Sequence, residues 1–440
     1  MSLQPPPTVG KLQGVLRAKA KEAPKYRFYA LYDKLHRADV LAWAYARCRM
    51  NKGAPGWDEE TFVAVESYGL ERWLGELAQE LKDKTYRPQA LRREWIPKGD
   101  GKKRPLGIPT IRDRVVQTAA VLVMEPIFDE DLQPEQHAYR AGHSAHQAVR
   151  EVQGWLDRGY IEVVDADLSG YFDSIPHHEL MQCVARRISD RHLLHLVKMW
   201  LEAPVEETDE KGRTVRTTRN KDEGRGTPQG GVVSPLLANL YMRRFLLGWK
   251  VKGYEESLKS KIVNYADDFV ICCKPGFASS AMTEMRRMME KLRLTVNEKK
   301  TRICLLPDET FTFLGFTFGP QVSWKSGRAY IAPTPAKKKI LGICDKISKE
   351  SSGRTTFRDE TEEVRQLNQI LRGWGNYFRI GYVTGAWQVV QQHGCRRLRW
   401  WLRRKHGRRG GVQSYPDMKL YEKYGFVKLI EVVKRISLWA

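Results

Sequence analysis

The chain has 440 residues, 42% of them hydrophobic, and its 75 Lys and Arg against 52 Asp and Glu leave a formal charge of +23 and a pI near 9.7. That length holds two or three domains with cores of their own, and the positive excess, spread along the chain and interleaved with Trp and Tyr, points to nucleic acid before an anionic membrane surface. No apolar run of about eighteen residues exists, Met1–Gly10 lacks a secretory layout, and seven scattered cysteines form no Cys-x-x-Cys pair, so a membrane span, a zinc module and a disulfide framework are all excluded and a cytoplasmic location is expected.

In chain order, residues 1–27 are polar and basic and read as a tail that orders only on a partner. Phe28 to Met50 carries Leu31, Leu35, Val40, Leu41 and Trp43 at helical spacing, the Asn51–Gly56 segment breaks it, and Leu70 to Leu81 is a further amphipathic helix. Arg93 to Lys98 reads as a strand, Gly99 to Lys103 as a turn, and Arg104 to Pro109 as the returning strand. Lys98 and Arg104 then stand on two arms of one ribbon, either a grip for a triphosphate or a solvated basic hairpin. Asp113 to Met124 is a strong helix. His137 to His146 is a loop entering a helix with Ser144 as N-cap; His143 and His146 have no third ligand at metal spacing, which leaves phosphate, RNA or plain surface for them.

Tyr160 to Val164 is a buried strand ending in Asp165-Ala166-Asp167-Leu168, and period two puts both acids on one face. Asp173, in Tyr171-Phe172-Asp173, reads as a cap or a supporting partner. Glu206 to Arg225 is an exposed ribbon or loop, followed by Thr227-Pro228-Gln229-Gly230-Gly231, whose glycines allow close approach, and by a helix opening at Ser234-Pro235. Ile262 to Cys273 is a hairpin with Asp267 and Asp268 at its tip, two repelling carboxylates that a hard divalent cation would relieve. Ser279 to Leu292 is helical, and Phe311 to Phe318 forms a strand pair bent at Gly315. Beyond Pro333 come helices at Thr334–Glu350, Asp359–Phe378 and Gly385–Lys405, the last intensely basic from Cys395 with Trp embedded, then a basic loop at Arg408–Gly411. Tyr415 to Ala440 reads as a short helix followed by a small β or mixed element, and there is no internal repeat.

Asp167, Asp267 and Asp268 are the acids that two neighbouring strands of an antiparallel sheet would bring together, and three carboxylates can hold two Mg²⁺ roughly 4 Å apart for phosphoryl transfer. The ordered motifs Lys52-Gly53-Ala54-Pro55-Gly56, Ile96-Pro97-Lys98 with Arg104–Pro109, Asp167–Asp173, Thr227–Gly231 with Ser234-Pro235-Leu236, Tyr265-Ala266-Asp267-Asp268, Phe313-Leu314-Gly315-Phe316 and Gly373–Phe378 closely resemble those of the reverse transcriptase–maturase proteins encoded by bacterial group II introns, over roughly residues 28–405.

The resemblance implies an α+β right-hand polymerase with fingers, an antiparallel-sheet palm and an α-helical thumb or maturase domain. Its expected boundaries here are a tail over 1–27, an N-terminal extension and fingers over 28–155, palm over 156–332, thumb over 333–405 and a short C-terminal tail over 406–440 that binds DNA if anything. It implies Asp167, Asp267 and Asp268 as ligands of two Mg²⁺ with the Leu168 carbonyl as an extra ligand, and Lys98, Arg104, Gln229 and Phe172 around the deoxynucleoside triphosphate, Phe172 as the gate against a ribose 2′-hydroxyl. Partners implied are an RNA template with a DNA primer, group II intron RNA and a DNA target, with no membrane. Arg140, Arg396, Arg397, Arg399, Arg403, Arg404 and Lys405 are the candidate nucleic-acid contacts. The chain departs from the family at Ala141 and His143, where Pro and Arg are usual, which weakens a template contact. It also lacks the paired Cys of the endonuclease that many relatives carry, so self-sufficient target cleavage is not expected. The residues leave two alternatives to an intron-borne polymerase: a splicing cofactor with little polymerase use, and a free-standing relative in repair or defence.

Overall fold

A computed structural model gives the fold and describes residues 4–97, 103–209, 211–322, 327–407 and 412–434. Its strands are β1 (Leu91–Pro97), β2 (Lys103–Ile108), β3 (Glu162–Ala166), β4 (Val205–Thr208), β5 (Thr214–Thr217), β6 (Ser260–Tyr265), β7 (Asp268–Cys273), β8 (Arg302–Leu305), β9 (Phe311–Phe313), β10 (Phe316–Val322) and β11 (Ala329–Pro335). They form sheets of order β2-β1-β4-β5, β6-β7-β3-β8 and β11-β10-β9.

The β6-β7-β3-β8 sheet is antiparallel throughout and separates two cores. Residues alternate along each strand: Phe269, Ile271 and Cys273 join one core, Val270 and Cys272 the other. The first core is filled by the Ser234–Val251 and Ala278–Lys291 helices, with the Phe245 and Phe269 rings 5.3 Å apart. The second takes Val149 and Val152 of the Ala145–Asp157 helix and the stacked rings of Phe311 and Phe318. Burial on both faces is why β7 reads as an unbroken apolar run.

The three-stranded sheet leads into the helices Lys337–Glu350, Glu360–Tyr377 and Thr384–Lys405, close to the expected spans. The β9–β10 turn needs positive φ at Leu314 and Gly315, and the Tyr377 hydroxyl donates to the Leu314 carbonyl at 2.9 Å, tying helix to turn. On the other side His146 Nε2 lies 2.7 Å from the Tyr377 carbonyl. That histidine therefore spends itself on an internal contact rather than on phosphate or RNA.

Several expectations are corrected. Residues 1–27 are not a tail waiting for a partner: Pro7–Glu22 is a helix that buries Val9, Leu16 and Ala20, donates from Gln13 Nε2 to the Leu122 carbonyl at 3.0 Å and pairs Arg17 with Asp129 at 3.2 Å. Its apolar stripe is one residue wide and hidden among lysines, which is why composition alone reads it as a tail. The Glu206–Arg225 segment is no free ribbon, because β4 continues the β1–β2 sheet in parallel with β1 through Leu91 and Val205. The end of the chain carries helices at Asp417–Glu422 and Leu429–Lys434 where a small β element was expected.

Arg140 is a structural clamp rather than a nucleic-acid contact. Its guanidinium is largely buried, pairs with Asp129 at 2.8 Å and donates to the carbonyls of Gln133 (3.0 Å) and Gln136 (3.1 Å). Arg140→Gln is therefore expected to cost roughly 2–4 kcal/mol of stability, because a half-buried carboxylate and two carbonyls lose their donor. Denaturant unfolding measures this; unchanged stability with weakened RNA binding would restore the contact role.

Candidate active site

The acidic pair sits on a two-residue turn. Tyr265 and Asp268 form the last pair of the β6–β7 ladder, leaving Ala266 and Asp267 to turn the chain, with Ala266 at φ +59°. That conformation is unfavourable for a residue with a Cβ, and Asn264 holds it by donating from Nδ2 to the Ala266 carbonyl at 2.9 Å. The Asn264 backbone is itself anchored to Glu135 and His137, each bond 3.0 Å.

Asp167 arrives on the neighbouring strand. Ala166 pairs with Phe269, so Asp167 and Asp268 stand one step beyond the last pair, and Asp165, opposite Val270, shares their face. Leu168 bridges Val296, and the Asp167 carbonyl accepts from Asn297 N at 2.8 Å, which fixes the backbone where β3 ends. The electrostatics register the crowding. Although Asp268 opens on the cleft, loss of water pushes its carboxyl up to about 6, and Asp267, Asp167 and Asp165 push the same way against Lys300. Asp165 is likewise pushed up to about 6, by burial first, with Arg302 opposing and Asp167 adding.

The expected convergence on metal is incomplete in this arrangement. Among the described residues no three His, Cys, Asp or Glu side chains stand so as to hold an ion together. The reason is local: the Asp167 carboxylate accepts from Asn297 Nδ2 at 2.8 Å and pairs with Lys300 Nζ at 3.2 Å. An ammonium thus answers part of the charge that a divalent ion would answer. The sequence reading missed Asn297, Lys300 and the buried Asp165; the run Asn297-Glu298-Lys299-Lys300-Thr301 looked only like a polar turn. The donor set still suits a hard cation, since carboxylates this crowded lack a full countercharge. Beside Asp165 and Asp268 opens a cavity of about 610 Å³ whose far wall includes Thr312, Lys338, Lys339 and Tyr377.

On the other flank, Arg104 Nε donates to Gln229 Oε1 at 2.9 Å, and Gln229 Nε2 donates to Asp173 Oδ2, also at 2.9 Å. Asp173 is thus the supporting partner that the sequence suggested, and it orients an amide whose other end meets an arginine. The Gln229 carbonyl also accepts from Gly107 N at 2.6 Å, so the loop joins the strand that carries Arg104. Phe172 is buried, and its carbonyl accepts from both Thr227 N and Thr227 Oγ1. Lys98 lies outside the described residues.

Residues 96–318 match the family model described as reverse transcriptase (RNA-dependent DNA polymerase), half of the chain, and residues 345–415 match the group II intron maturase-specific domain. The chain belongs to the reverse transcriptase family. It is 34% identical to Protein YkfC of Escherichia coli over 70% of this chain and 87% of that one. It is 31% identical to the group II intron-encoded protein LtrA of Lactococcus lactis over 63% of this chain, which spans 43% of LtrA. Among solved structures it overlays 59% of its length on a partial Cas6-RT-Cas1–Cas2 complex, with 23% identity and a TM-score of 0.34.

In this reverse transcriptase the basic residues of the maturase-specific domain divide by their place on the Thr384–Lys405 helix. Leu398, Trp401 and Leu402 are fully buried. Arg397, Arg399 and Lys405 flank that stripe and are corrected to internal roles: Arg397 donates to the carbonyls of Ser348 and Ser351, Arg399 to that of Tyr415, and Lys405 to those of Thr356 and Arg358. Arg403 is half-buried and turns its Nε inward. Arg396 and Arg404 stay exposed, with Trp400 between them on the same face. No helix among the described residues is long and apolar enough to cross a membrane.

The raised Asp268 carboxyl gives a prediction with a definite sign. Its value in the unfolded chain is near 3.8 and in the folded chain about 6, so the folded state holds the extra proton between those values and loses stability as pH rises through them. In a chelator, Asp268→Asn should melt at a higher temperature than the parent above pH 6, and the gap should close towards the lower value. Magnesium should narrow it by stabilising the parent. A gap independent of pH would remove the carboxylate crowding as its cause.

Proposed function

We propose that the enzyme, an RNA-directed DNA polymerase by family, extends a DNA primer at the Asp167–Asp267–Asp268 cluster with two Mg²⁺. The observation carrying this reading is the row of carboxylates at the end of β3 and β7, on one sheet face, beside a cavity with Lys338 and Lys339 in its wall. When bound, magnesium supplies the charge that acidifies the primer 3′-hydroxyl and steadies the leaving pyrophosphate. The chain's own part is positioning. Asp267 and Asp268 hold cation on a turn that Asn264 keeps rigid; Asp167 turns to the same centre as Lys300 lets it go, and the Leu168 carbonyl completes the donors. Arg104 neutralises triphosphate oxygens, and Gln229, its amide fixed by Asp173, meets the incoming nucleotide. Lys98 serves the same phosphates from the other arm of the ribbon. Phe172 lies beneath the sugar and excludes a 2′-hydroxyl.

The maturase-specific domain takes group II intron RNA, with Arg396 and Arg404 at phosphates and Arg403 beside them, and supports splicing and mobility into a DNA target. LtrA and its group II intron are the likeness behind this assignment. The test is primer extension on an RNA template in magnesium, with RNA binding measured on the same preparations.

A further inference from the structure

The residues that leave the phosphate-binding role all hold one loop. It joins the Lys337–Glu350 and Glu360–Tyr377 helices through Ser351–Asp359. Arg397 donates to the Ser351 carbonyl at 2.6 Å and to Ser351 Oγ at 3.1 Å. Trp401 Nε1 donates to Thr355 Oγ1 at 3.0 Å, and Thr356 Oγ1 donates back to the Gly353 carbonyl at 2.9 Å. Lys405 Nζ donates to the Thr356 carbonyl at 3.2 Å and to the Arg358 carbonyl at 2.6 Å. One ammonium therefore grips the residue before Phe357 and the residue after it.

Phe357 itself is 82% exposed, more than any other large apolar side chain among the described residues. A single surface aromatic is ordinary on a loose loop. Here the backbone is pinned on both sides while the ring is left in water, so the position is rigid and the face unpartnered. The surroundings are cationic. Arg354 is exposed on the same loop, and the Arg404 guanidinium lies against Gly353, where a Cβ would come 3.1 Å from its Cζ. Asp359 is the nearby acid, and it is spent capping the next helix through Thr361 N at 2.8 Å. A rigid ring beside guanidinium groups matches a base on a phosphate backbone: the ring stacks, the cations take the phosphates.

We propose that Phe357 is a stacking platform for an unpaired base of the RNA bound by this domain. The assignment rests on the reading that the domain binds RNA, and it adds what that reading lacks, a contact to a base in a single-stranded segment. Lys405 and Arg397 act in it as positioning residues, through the loop and not through phosphate.

The experiment uses the full chain and an oligouridylate RNA containing thiouridine, with affinity measured by fluorescence anisotropy and the irradiation adduct located by mass spectrometry. The expected adduct lies on the Arg354–Arg358 segment. Phe357→Ala should remove it and weaken binding by roughly fivefold to a hundredfold. Phe357→Tyr should keep both, Phe357→Leu should behave as Ala, and the salt slope should stay that of the parent, because no phosphate contact is lost. Thermal melting of each variant checks that the exposed substitution leaves the fold intact. Arg396→Gln with Arg404→Gln serves as the second arm and should flatten the salt slope. If the arginine variant weakens RNA binding while Phe357→Ala binds as the parent does, the stacking platform is overturned and the RNA-binding reading stands; Phe357 would then belong to a protein contact. If neither changes binding, the RNA-binding reading fails with it. Phe357→Leu binding as the parent does would also overturn stacking, leaving only apolar contact.

Discussion

Asp267→Ala should abolish primer extension on an RNA template while RNA affinity changes little. Asp267 is exposed at the tip of the β6–β7 turn and has no hydrogen-bond or ion-pair partner among the described residues, so its removal costs the fold almost nothing. Its charge acts on Asp268, which it helps to push up. Without it the cluster keeps Asp167, Asp165 and Asp268, of which Asp167 is already engaged by Lys300 and Asn297. Losing one carboxylate of a two-metal site removes several kcal/mol of charge stabilisation from the transition state, on the order of a thousandfold or more in rate. Single-nucleotide extension rates in magnesium measure it, with filter binding of the same RNA as control. Extension at the parent's rate would take Asp267 out of the metal site.

Gly230→Ala should reduce extension by roughly a hundredfold in a protein that still folds. The residue has φ +107°, and an added Cβ would stand 2.4 Å from the Gly107 carbonyl oxygen and 2.9 Å from Leu106 Cδ1. The backbone must give, at a cost of about 1–3 kcal/mol, and the part that gives is the junction where Gly107 N meets the Gln229 carbonyl. Gln229 precedes the substituted residue, and Arg104 sits three residues before Gly107 on β2. Both ends of the Arg104–Gln229–Asp173 chain therefore shift together. A displacement of about 1 Å in a nucleotide-positioning group is enough for a loss of that size. Extension rates over a range of nucleotide concentrations, with melting curves beside them, provide the measurement. Parent-like kinetics would show that this junction does not position the nucleotide.

The acids and the strands that carry them were readable because the signal is local. Asp167 closes an apolar run, Asp267 and Asp268 interrupt another, and period two assigns their faces without further information. The three helices beyond Pro333 were readable from spacing in the same way. The side chains that misled were arginines. Arg140, Arg397 and Arg399 carry the charge and reach of a phosphate contact, and nothing nearby in the sequence distinguishes them from Arg396 or Arg404. Their fate is decided by carbonyls of distant segments: Gln133 and Gln136 for Arg140, Ser348 and Ser351 for Arg397, Tyr415 for Arg399. A long cationic side chain beside a buried stripe lies along it and delivers its head wherever an unpaired carbonyl waits.

By itself the sequence determined the family, the strand pairs, the order of the acids and the sign of the partner's charge. All of these follow from residue type and short-range spacing. Only the tertiary structure decided that Lys300 and Asn297 hold Asp167, that Asp173 orients Gln229, and that Lys405 pins Phe357 outward instead of meeting a phosphate. The physical reason is that a hydrogen-bonding group takes the partner nearest in space, and chain folding alone determines which group that is.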